Sequence, residues 1–243
     1  MSFHGTDLTA AAVIEHLCWL QSSAAEASSS KPDPPGPLWQ IVRSTGWPSA
    51  RAKAIADGPY GTHILPPQSD LSLLRAIESD LRARIASTGF SANSAKAFTG
   101  AVTEIINNIW EHSRSDRPAL LAYGLESQRV HIAIADLGVG VLNSLHTNPR
   151  YHALTSSMTA LKKAMEIGVS RLEGRSRGYG FATILKAVAD QWGGIRLRTG
   201  EAILTIHGLE SRRQEVASYG VPLPGLQIAF SCGVEAPSTP LAL

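Results

Sequence analysis

The sequence predicts an α+β fold, because two successive helical segments are followed by segments that pair as antiparallel strands. The helical segments are residues 70–87 and 91–112, where apolar residues recur at three- and four-residue steps. The strand segments are residues 120–125, 129–135 and 226–232, which are rich in aliphatic residues and bounded by turn residues. The chain has 243 residues and is 44% hydrophobic, which is enough for one large domain, alone or with an appendage.

Composition and charge narrow the class of protein. The formal net charge is +2, which gives no bulk electrostatic case for binding nucleic acid or an anionic membrane. The two cysteines, Cys18 and Cys232, have neither metal-site spacing nor a disulfide framework, as is typical of a reducing compartment. The N-terminus lacks the basic segment of a signal peptide, and the apolar runs are too short to span a membrane. We expect a soluble cytoplasmic protein with no membrane partner. The overall charge disfavours a nucleic-acid partner but leaves open a local basic patch.

The first 60 residues differ from the rest in composition and in the regularity of their apolar pattern. Residues 7–27 have a ragged apolar face that predicts a helix, and the prolines and serines of residues 28–37 predict a linker. Residues 49–56 are a candidate for a short helix. Trp39 and Trp47 are interpreted as packing anchors, since tryptophans beside a linker are more often buried than ligand-binding.

A polar face on the second predicted helix is the first candidate site. Glu104 and Asn108 lie four residues apart, so their side chains point the same way from adjacent turns. On its own, such a face is most often the solvated side of an amphipathic helix. This one is poor in lysine and arginine, and it pairs a carboxylate that can act as a base with an amide oxygen that suits a hard cation.

The second candidate site follows the strand at residues 129–135. Asp136 comes directly after the strand, with Gly138 and Gly140 at two-residue spacing. Glycines let the backbone approach a flat ligand while the carboxylate accepts a hydrogen bond. The pattern alone is weak, since many strand-to-turn junctions share it.

The third candidate site lies in a basic stretch. Residues 141–177 contain a predicted helix at 156–167 and many cations, and we expect a mobile lid. Gly178 and Gly180 then precede a predicted helix at 182–191, where free backbone N–H groups would suit a phosphate. A tight turn into a packed helix explains the same pattern equally well.

The remaining residues predict more antiparallel structure. Residues 195–199 and 202–207 are predicted to form a hairpin about Gly200 and Glu201. Residues 209–218 are charged and predict a loop or short helix, and residues 234–243 predict a frayed tail.

The order of these patterns resembles the GHKL, or Bergerat-fold, ATP-binding superfamily, which includes gyrase, heat-shock chaperones and sensor histidine kinases. The resemblance spans about residues 64–232. It implies an α/β sandwich in which a mixed, mostly antiparallel sheet carries helices on one face. Residues 1–60 would then be a helical extension, residues 61–233 the ATP-binding domain and residues 234–243 the tail. The main competitors are disfavoured: the sequence contains no G-x-x-x-x-G-K-[ST] motif, and its glycines lack dinucleotide-fold spacing.

The resemblance assigns roles to the ATP site. Glu104 matches the acid that orients a water or substrate hydroxyl, Asn108 the ligand of Mg²⁺, and Asp136 the acceptor from the adenine amino group. The other residues that the resemblance places at the nucleotide are His112, Gly138, Gly140, Arg175, Arg177, Gly178, Tyr179 and Gly180.

One of these assignments carries an alternative, and the chain departs from the family pattern at one position. Arg175 and Arg177, the lid cations closest to the glycines, would neutralise the triphosphate, and His112 is as well explained by a structural hydrogen bond. Family members often carry Gly-Thr before the last strand, near the adenine. This chain has Gly225 and Leu226 there, so either Thr205 takes the place of that threonine or the contact is missing.

Within the superfamily, the chain is most similar to the stand-alone anti-sigma-factor serine kinases. None of its eight histidines is followed by Asp or Glu, unlike the phosphoacceptor histidine of sensor kinases, and the chain ends too soon for a transducer domain. The resemblance implies an ATP- and Mg²⁺-dependent regulatory protein that phosphorylates a serine or threonine on a partner, such as a sigma-factor antagonist, with homodimerisation open. Two alternatives are a non-catalytic nucleotide switch and a slow ATPase coupled to assembly.

Overall fold

The computed structural model describes residues 9–20, 34, 36–49, 51–126, 128–166, 193–207 and 214–234. In chain order the elements are α1 (Thr9–Leu20), α2 (Pro37–Ser44), β1 (Ala56–Asp57), β2 (Tyr60–Leu65), α3 (Leu71–Ser87), α4 (Ala92–His112), β3 (Ala119–Glu126), β4 (Arg129–Ala135), α5 (Gly140–Leu145), a 3-10 turn (Pro149–Tyr151), α6 (Ser157–Ala164), β5 (Gly194–His207) and β6 (Gln214–Gly233). Within this part of the chain, no helix combines the length and the apolar character needed to cross a bilayer.

The strands form one six-stranded sheet in the order β1-β2-β3-β4-β6-β5. All described pairings are antiparallel. Helices pack on this sheet, so the predicted α+β class and sandwich arrangement are confirmed. The central strands β4 and β6 pair from Arg129 opposite Gly233 to Ala135 opposite Gln227, which places the end of β4 beside the middle of β6.

Helices α3, α4 and α6 cover one face of the sheet. Each of the two long helices begins one residue later than predicted, because the first predicted residue is its N-cap: the Asp70 side chain accepts from the N–H groups of Ser72 and Leu73, and Ser91 accepts from Ser94 N–H. Their apolar stripes meet the larger side chains of β3 and β4 in the main core. These strand side chains are Leu121, Tyr123, Leu125, Val130, Ile132 and Ile134.

Helices α1 and α2 cover the opposite face. The strand residues that meet them are mostly small, which allows the helices to approach the sheet closely. These residues include Ala122, Ala133, Ala135 and Ala229. Trp39 and Trp47 are buried in this second core, and the Trp47 indole N–H donates to the Pro118 carbonyl oxygen at 2.7 Å, so the prediction of packing anchors is confirmed.

The short helix predicted at residues 49–56 is wrong. The helix in this region is α2, which opens on Pro37, and a turn follows it. Proline fits the first turn of a helix, because the N–H that it lacks would have no intrahelical partner there. Pro37, the last residue of the predicted linker, is therefore the first residue of helix α2.

Strand β5 doubles back on itself, as the predicted hairpin requires. A Cβ on Gly194 would lie 2.7 Å from the His207 ring, and Arg196 Nη1 lies 3.5 Å from Thr205 Oγ1, so the two ends of β5 are adjacent. The ladder to β6 is irregular between Thr199 and Ala202, where the chain reverses. The predicted loop or short helix at 209–218 is wrong from Gln214 onwards, since β6 begins there. The predicted tail lies outside the described residues except for Val234.

The predicted lid is wrong for residues 141–166. This segment packs into the main core through Val141, Leu145, Met158, Ala160 and Leu161. The predicted helix at 156–167 is confirmed in part as α6, which lies against β5. Residues 167–177 lie outside the described part. The high content of arginine and glycine in that second half concealed the apolar spacing of the first half.

Candidate functional site

Asp136 stands at the junction of β4 and β6, as its position after a predicted strand suggested. The Asp136 Oδ1 accepts from Gly138 N–H at 2.7 Å, and Oδ2 accepts from Leu226 N–H at 3.2 Å. The Asp136 amide also donates to the Leu226 carbonyl oxygen at 3.1 Å. The side chain is therefore fixed by two strands that are far apart in sequence. A carboxylate offers about four lone-pair positions, so two donors leave room for further hydrogen bonds.

The burial of Asp136 has an electrostatic consequence. Only 3% of the residue is exposed, and none of the described arginines or lysines pairs with it. Burial raises the pKa of Asp136 to about 6, against the opposite effect of the N–H groups of Gly138 and Leu226. A buried carboxylate with a perturbed pKa at a strand end is a candidate binding group. It can accept a further hydrogen bond from a ligand, because the two backbone donors leave lone pairs on its oxygens available.

The turn after Asp136 is joined to the end of α4. Val139 N–H donates to the Ser113 carbonyl oxygen at 2.8 Å. A Cβ on Gly138 would lie 2.0 Å from the same oxygen, so this position accepts only glycine without a shift of the backbone. Ser113 directly follows α4, the helix that carries Glu104 and Asn108. The first two candidate sites of the sequence therefore belong to one region.

Thr199 links the other strands to this region. Its hydroxyl donates to the Gly225 carbonyl oxygen at 2.9 Å and accepts from Val141 N–H at 3.1 Å. Gly140 lies against the same hydroxyl, and Gly225, with φ of +72°, lies against the Asp136 main chain and carboxylate. Glycine adopts this left-handed backbone without the strain that a side chain brings. The sequence interpretation missed Thr199, and a threonine directly before a predicted hairpin turn was the available signal.

Thr205 does not lie at this site. Its hydroxyl faces the Arg196 guanidinium, which is bound in turn to Glu15 of α1 on the other side of the sheet. The suggestion that Thr205 substitutes for the usual threonine is therefore wrong. Thr199 and Thr205 lie on opposite sides of the chain reversal in β5, so the alternation of side chains along one continuous strand does not relate their positions.

Glu104 and Asn108 lie on one side of α4 and are half-buried. Within the described residues, neither side chain has a hydrogen bond or an ion pair. Asn108 precedes Ser113 by five residues and Glu104 precedes it by nine, which corresponds to about 7.5 Å and about 13.5 Å along the helix axis. The acid and the amide thus form a line that leads away from the Asp136 turn, with polar groups available for a ligand.

The other predicted site residues are placed less completely. His112 is half-buried at the end of α4, where its Nε2 lies 3.9 Å from a Glu111 carboxylate oxygen. Five predicted residues lie outside the described part of the chain: Arg175, Arg177, Gly178, Tyr179 and Gly180. Among the described residues, no cluster of three or more histidine, cysteine, aspartate or glutamate side chains could hold a metal ion by itself.

Comparison with known proteins does not assign a family. No family model matches the chain, and no curated protein matches it.

Proposed function

We propose that this chain is an ATP-binding regulatory protein of the GHKL type that transfers the γ-phosphate of ATP to a serine or threonine of a partner protein. The observation that carries the proposal is the buried Asp136 carboxylate, held by Gly138 and Leu226 and joined through Ser113 to the helix that bears Glu104 and Asn108. The resemblance noted in the sequence supplies the identity of the ligand.

Asp136 is suited to the adenine base. An exocyclic amino group is an uncharged donor, and a buried carboxylate with spare lone pairs is a strong acceptor for it. The N–H groups of Gly138 and Leu226 offset only part of the cost of burying the carboxylate, so a further donor from the ligand would stabilise it. Gly138 and Gly225 bring the main chain close to Asp136, since a Cβ at either position would lie within 3 Å of an Asp136 carboxylate oxygen.

Asn108 and Glu104 are suited to the phosphate end. Asn108 offers one neutral oxygen, which fits Mg²⁺, since this ion takes most of its ligands from phosphates and water in nucleotide sites. The ion would neutralise charge on the phosphates. Glu104, one turn further from Ser113, would accept the proton of the attacking hydroxyl as a general base. This role requires the Glu104 carboxylate to be ionised and within reach of that hydroxyl.

We place the protein in the cytoplasm, where ATP and partner proteins of this kind occur. Cys18 and Cys232 are both buried and not bonded to each other, as expected in a reducing compartment. The partner is a protein of the sigma-factor-antagonist type, recognised outside the nucleotide cleft.

Calorimetric titration with Mg-ATP tests the binding step. The wild type should bind saturably. Asp136→Asn should bind at least about tenfold more weakly, because it replaces an acceptor oxygen with an NH2 group that would face the donor of the ligand or of the main chain. Asp57→Asn, on the exposed strand β1, is the matched control and should bind normally. Absence of binding by the wild type, or normal binding by Asp136→Asn, would overturn the proposal. Binding without phosphate transfer to any partner protein would leave a nucleotide-dependent switch.

A further inference from the structure

Helix α1 is fixed to the sheet by a buried ionic cluster directly behind the Asp136 site. Glu15 Oε1 accepts from Arg196 Nε at 2.5 Å, and Glu15 Oε2 accepts from Arg198 Nη1 at 2.6 Å. Glu15 and Arg198 are each 7% exposed. Both arginines belong to the first half of β5, so the cluster joins the N-terminal helix to the strand that carries Thr199.

The residues that contact α1 alternate with the residues of the site. Ala135, Gln227 and Arg198 form one row across the sheet, since Gln227 pairs with both of the others. Each has a neighbour in sequence that belongs to the site: Asp136 follows Ala135, Leu226 precedes Gln227 and Thr199 follows Arg198. Successive side chains on a strand point to opposite faces of the sheet. Helix α1 and the site therefore contact the same three strand segments from opposite faces.

Cys18 brings α1 closest to this row. Its side chain is fully buried and contacts the side chain of Gln227. Burial raises the pKa of the Cys18 thiol well above its usual value, and the nearby carboxylates of Asp136 and Glu15 raise it further. The thiol is therefore unreactive while α1 is docked, and its labelling by a thiol reagent reports undocking.

We propose that α1 is a regulatory element of the Asp136 site, which binds its nucleotide tightly when Glu15 holds α1 on the sheet and weakly when α1 is released. The inference rests on the proposed function for the identity of the ligand. The physical basis is that release of Glu15 leaves the buried Arg198 guanidinium bound to the Val221 carbonyl oxygen but without its carboxylate partner. This loosens the neighbouring backbone of Thr199 and Leu226, and Leu226 fixes Asp136. By thermodynamic linkage, nucleotide binding must then hold α1 in place.

The two cysteines allow the test to be made in the full-length protein. In Cys232→Ala the labelling rate of Cys18 reports release of α1, and in Cys18→Ala the labelling rate of Cys232 reports opening of the main core, where Cys232 is buried. Saturating Mg-ATP should slow the labelling of Cys18 by about tenfold, because the state with α1 released binds the nucleotide weakly. It should slow the labelling of Cys232 at least as much, because an opened core cannot bind the nucleotide. Glu15→Gln should accelerate Cys18 labelling selectively, and Glu78→Gln, which breaks an exposed pair with Arg82 on α3, should not.

Each outcome decides the inference. If Mg-ATP binds by calorimetry and slows the labelling of Cys232 but leaves that of Cys18 unchanged, release of α1 does not affect the site and α1 has no regulatory role, while the proposed function stands. If Mg-ATP does not bind at all, the proposed function fails, and Gly138→Ala then tests the coupling. This substitution disturbs the turn beside Asp136 and not the contacts of α1. Selective acceleration of Cys18 labelling would uphold the coupling of α1 to the site, and an equal change in the labelling rates of both cysteines would refute it.

Discussion

The Val139 amide donates to the Ser113 carbonyl oxygen at 2.8 Å, and this bond connects two stretches that the sequence presents as separate motifs. Ser113 ends the helix of Glu104 and Asn108, and Val139 lies in the turn after Asp136. This main-chain contact, which Gly138 makes sterically feasible, therefore contributes to the spacing between the proposed base-binding carboxylate and the proposed catalytic acid.

Gly138→Ala tests this contact. The added Cβ would lie 2.0 Å from the Ser113 oxygen, so the turn must move. We expect a loss of roughly 2 kcal/mol in the free energy of unfolding, and weaker Mg-ATP binding. Chemical denaturation and calorimetry measure the two effects. Gly100→Ala in helix α4 is the control. No described heavy atom lies within 4 Å of the added Cβ, and alanine should stabilise the helix by about 1 kcal/mol. Equal behaviour of the two variants would contradict the steric argument.

The sequence predicts those elements whose signals are local. Helices α3 and α4 have regular apolar stripes and capping residues, and β3 and β4 have dense aliphatic runs, so all four were located to within a residue or two. Asp136 was also found locally, because its position after a strand and before glycines is visible in the sequence.

Contacts between distant segments were not predictable in this way. Thr199 meets Val141 across 58 residues, and Leu226 meets Asp136 across 90, so both contacts depend on the register of the sheet. The covering of the second face by α1 was not predictable because most of the strand residues on that face are alanines, which give no strong alternation of hydrophobicity.

The pH dependence of stability tests the burial of Asp136. The pKa of Asp136 is raised from 3.8 to about 6, so the folded state holds this proton more tightly than the unfolded state. The corresponding stabilisation is complete below the lower value and is lost as the pH rises through about 6, a change of ~3 kcal/mol. We expect the wild type to lose stability relative to Asp136→Asn over this range, as measured by urea unfolding at a series of pH values. Subtracting the variant cancels the other titrating groups, so a flat difference would show that the carboxylate is not buried.

Glu104→Gln separates binding from chemistry. Glutamine keeps the shape of the side chain but cannot accept a proton, so Mg-ATP binding should persist while phosphate transfer falls by roughly a hundredfold or more. Radiolabelled ATP and a candidate protein substrate provide the assay. Glu111→Gln, at an exposed position of the same helix, should transfer phosphate at the wild-type rate. Undiminished transfer by Glu104→Gln would remove Glu104 from the mechanism.

Glu15→Gln measures how strongly the ionic cluster stabilises the fold. Burial raises the pKa of Glu15, but Arg196 and Arg198 outweigh this effect and hold the pKa below its usual value. The charged pair therefore stabilises the folded state at neutral pH, and this contribution is lost as the pH falls through the lowered pKa. Loss of the charge leaves Arg198 buried without a counter-ion among the described residues and should cost roughly 3 kcal/mol at pH 7. Glu78→Gln removes an exposed pair and should cost at most about 1 kcal/mol.

Unfolding by urea at neutral and acidic pH measures both variants, and the difference between them should shrink in acid as Glu15 of the wild type becomes protonated. A difference that is small at pH 7 would mean that α1 is held by its apolar contacts alone.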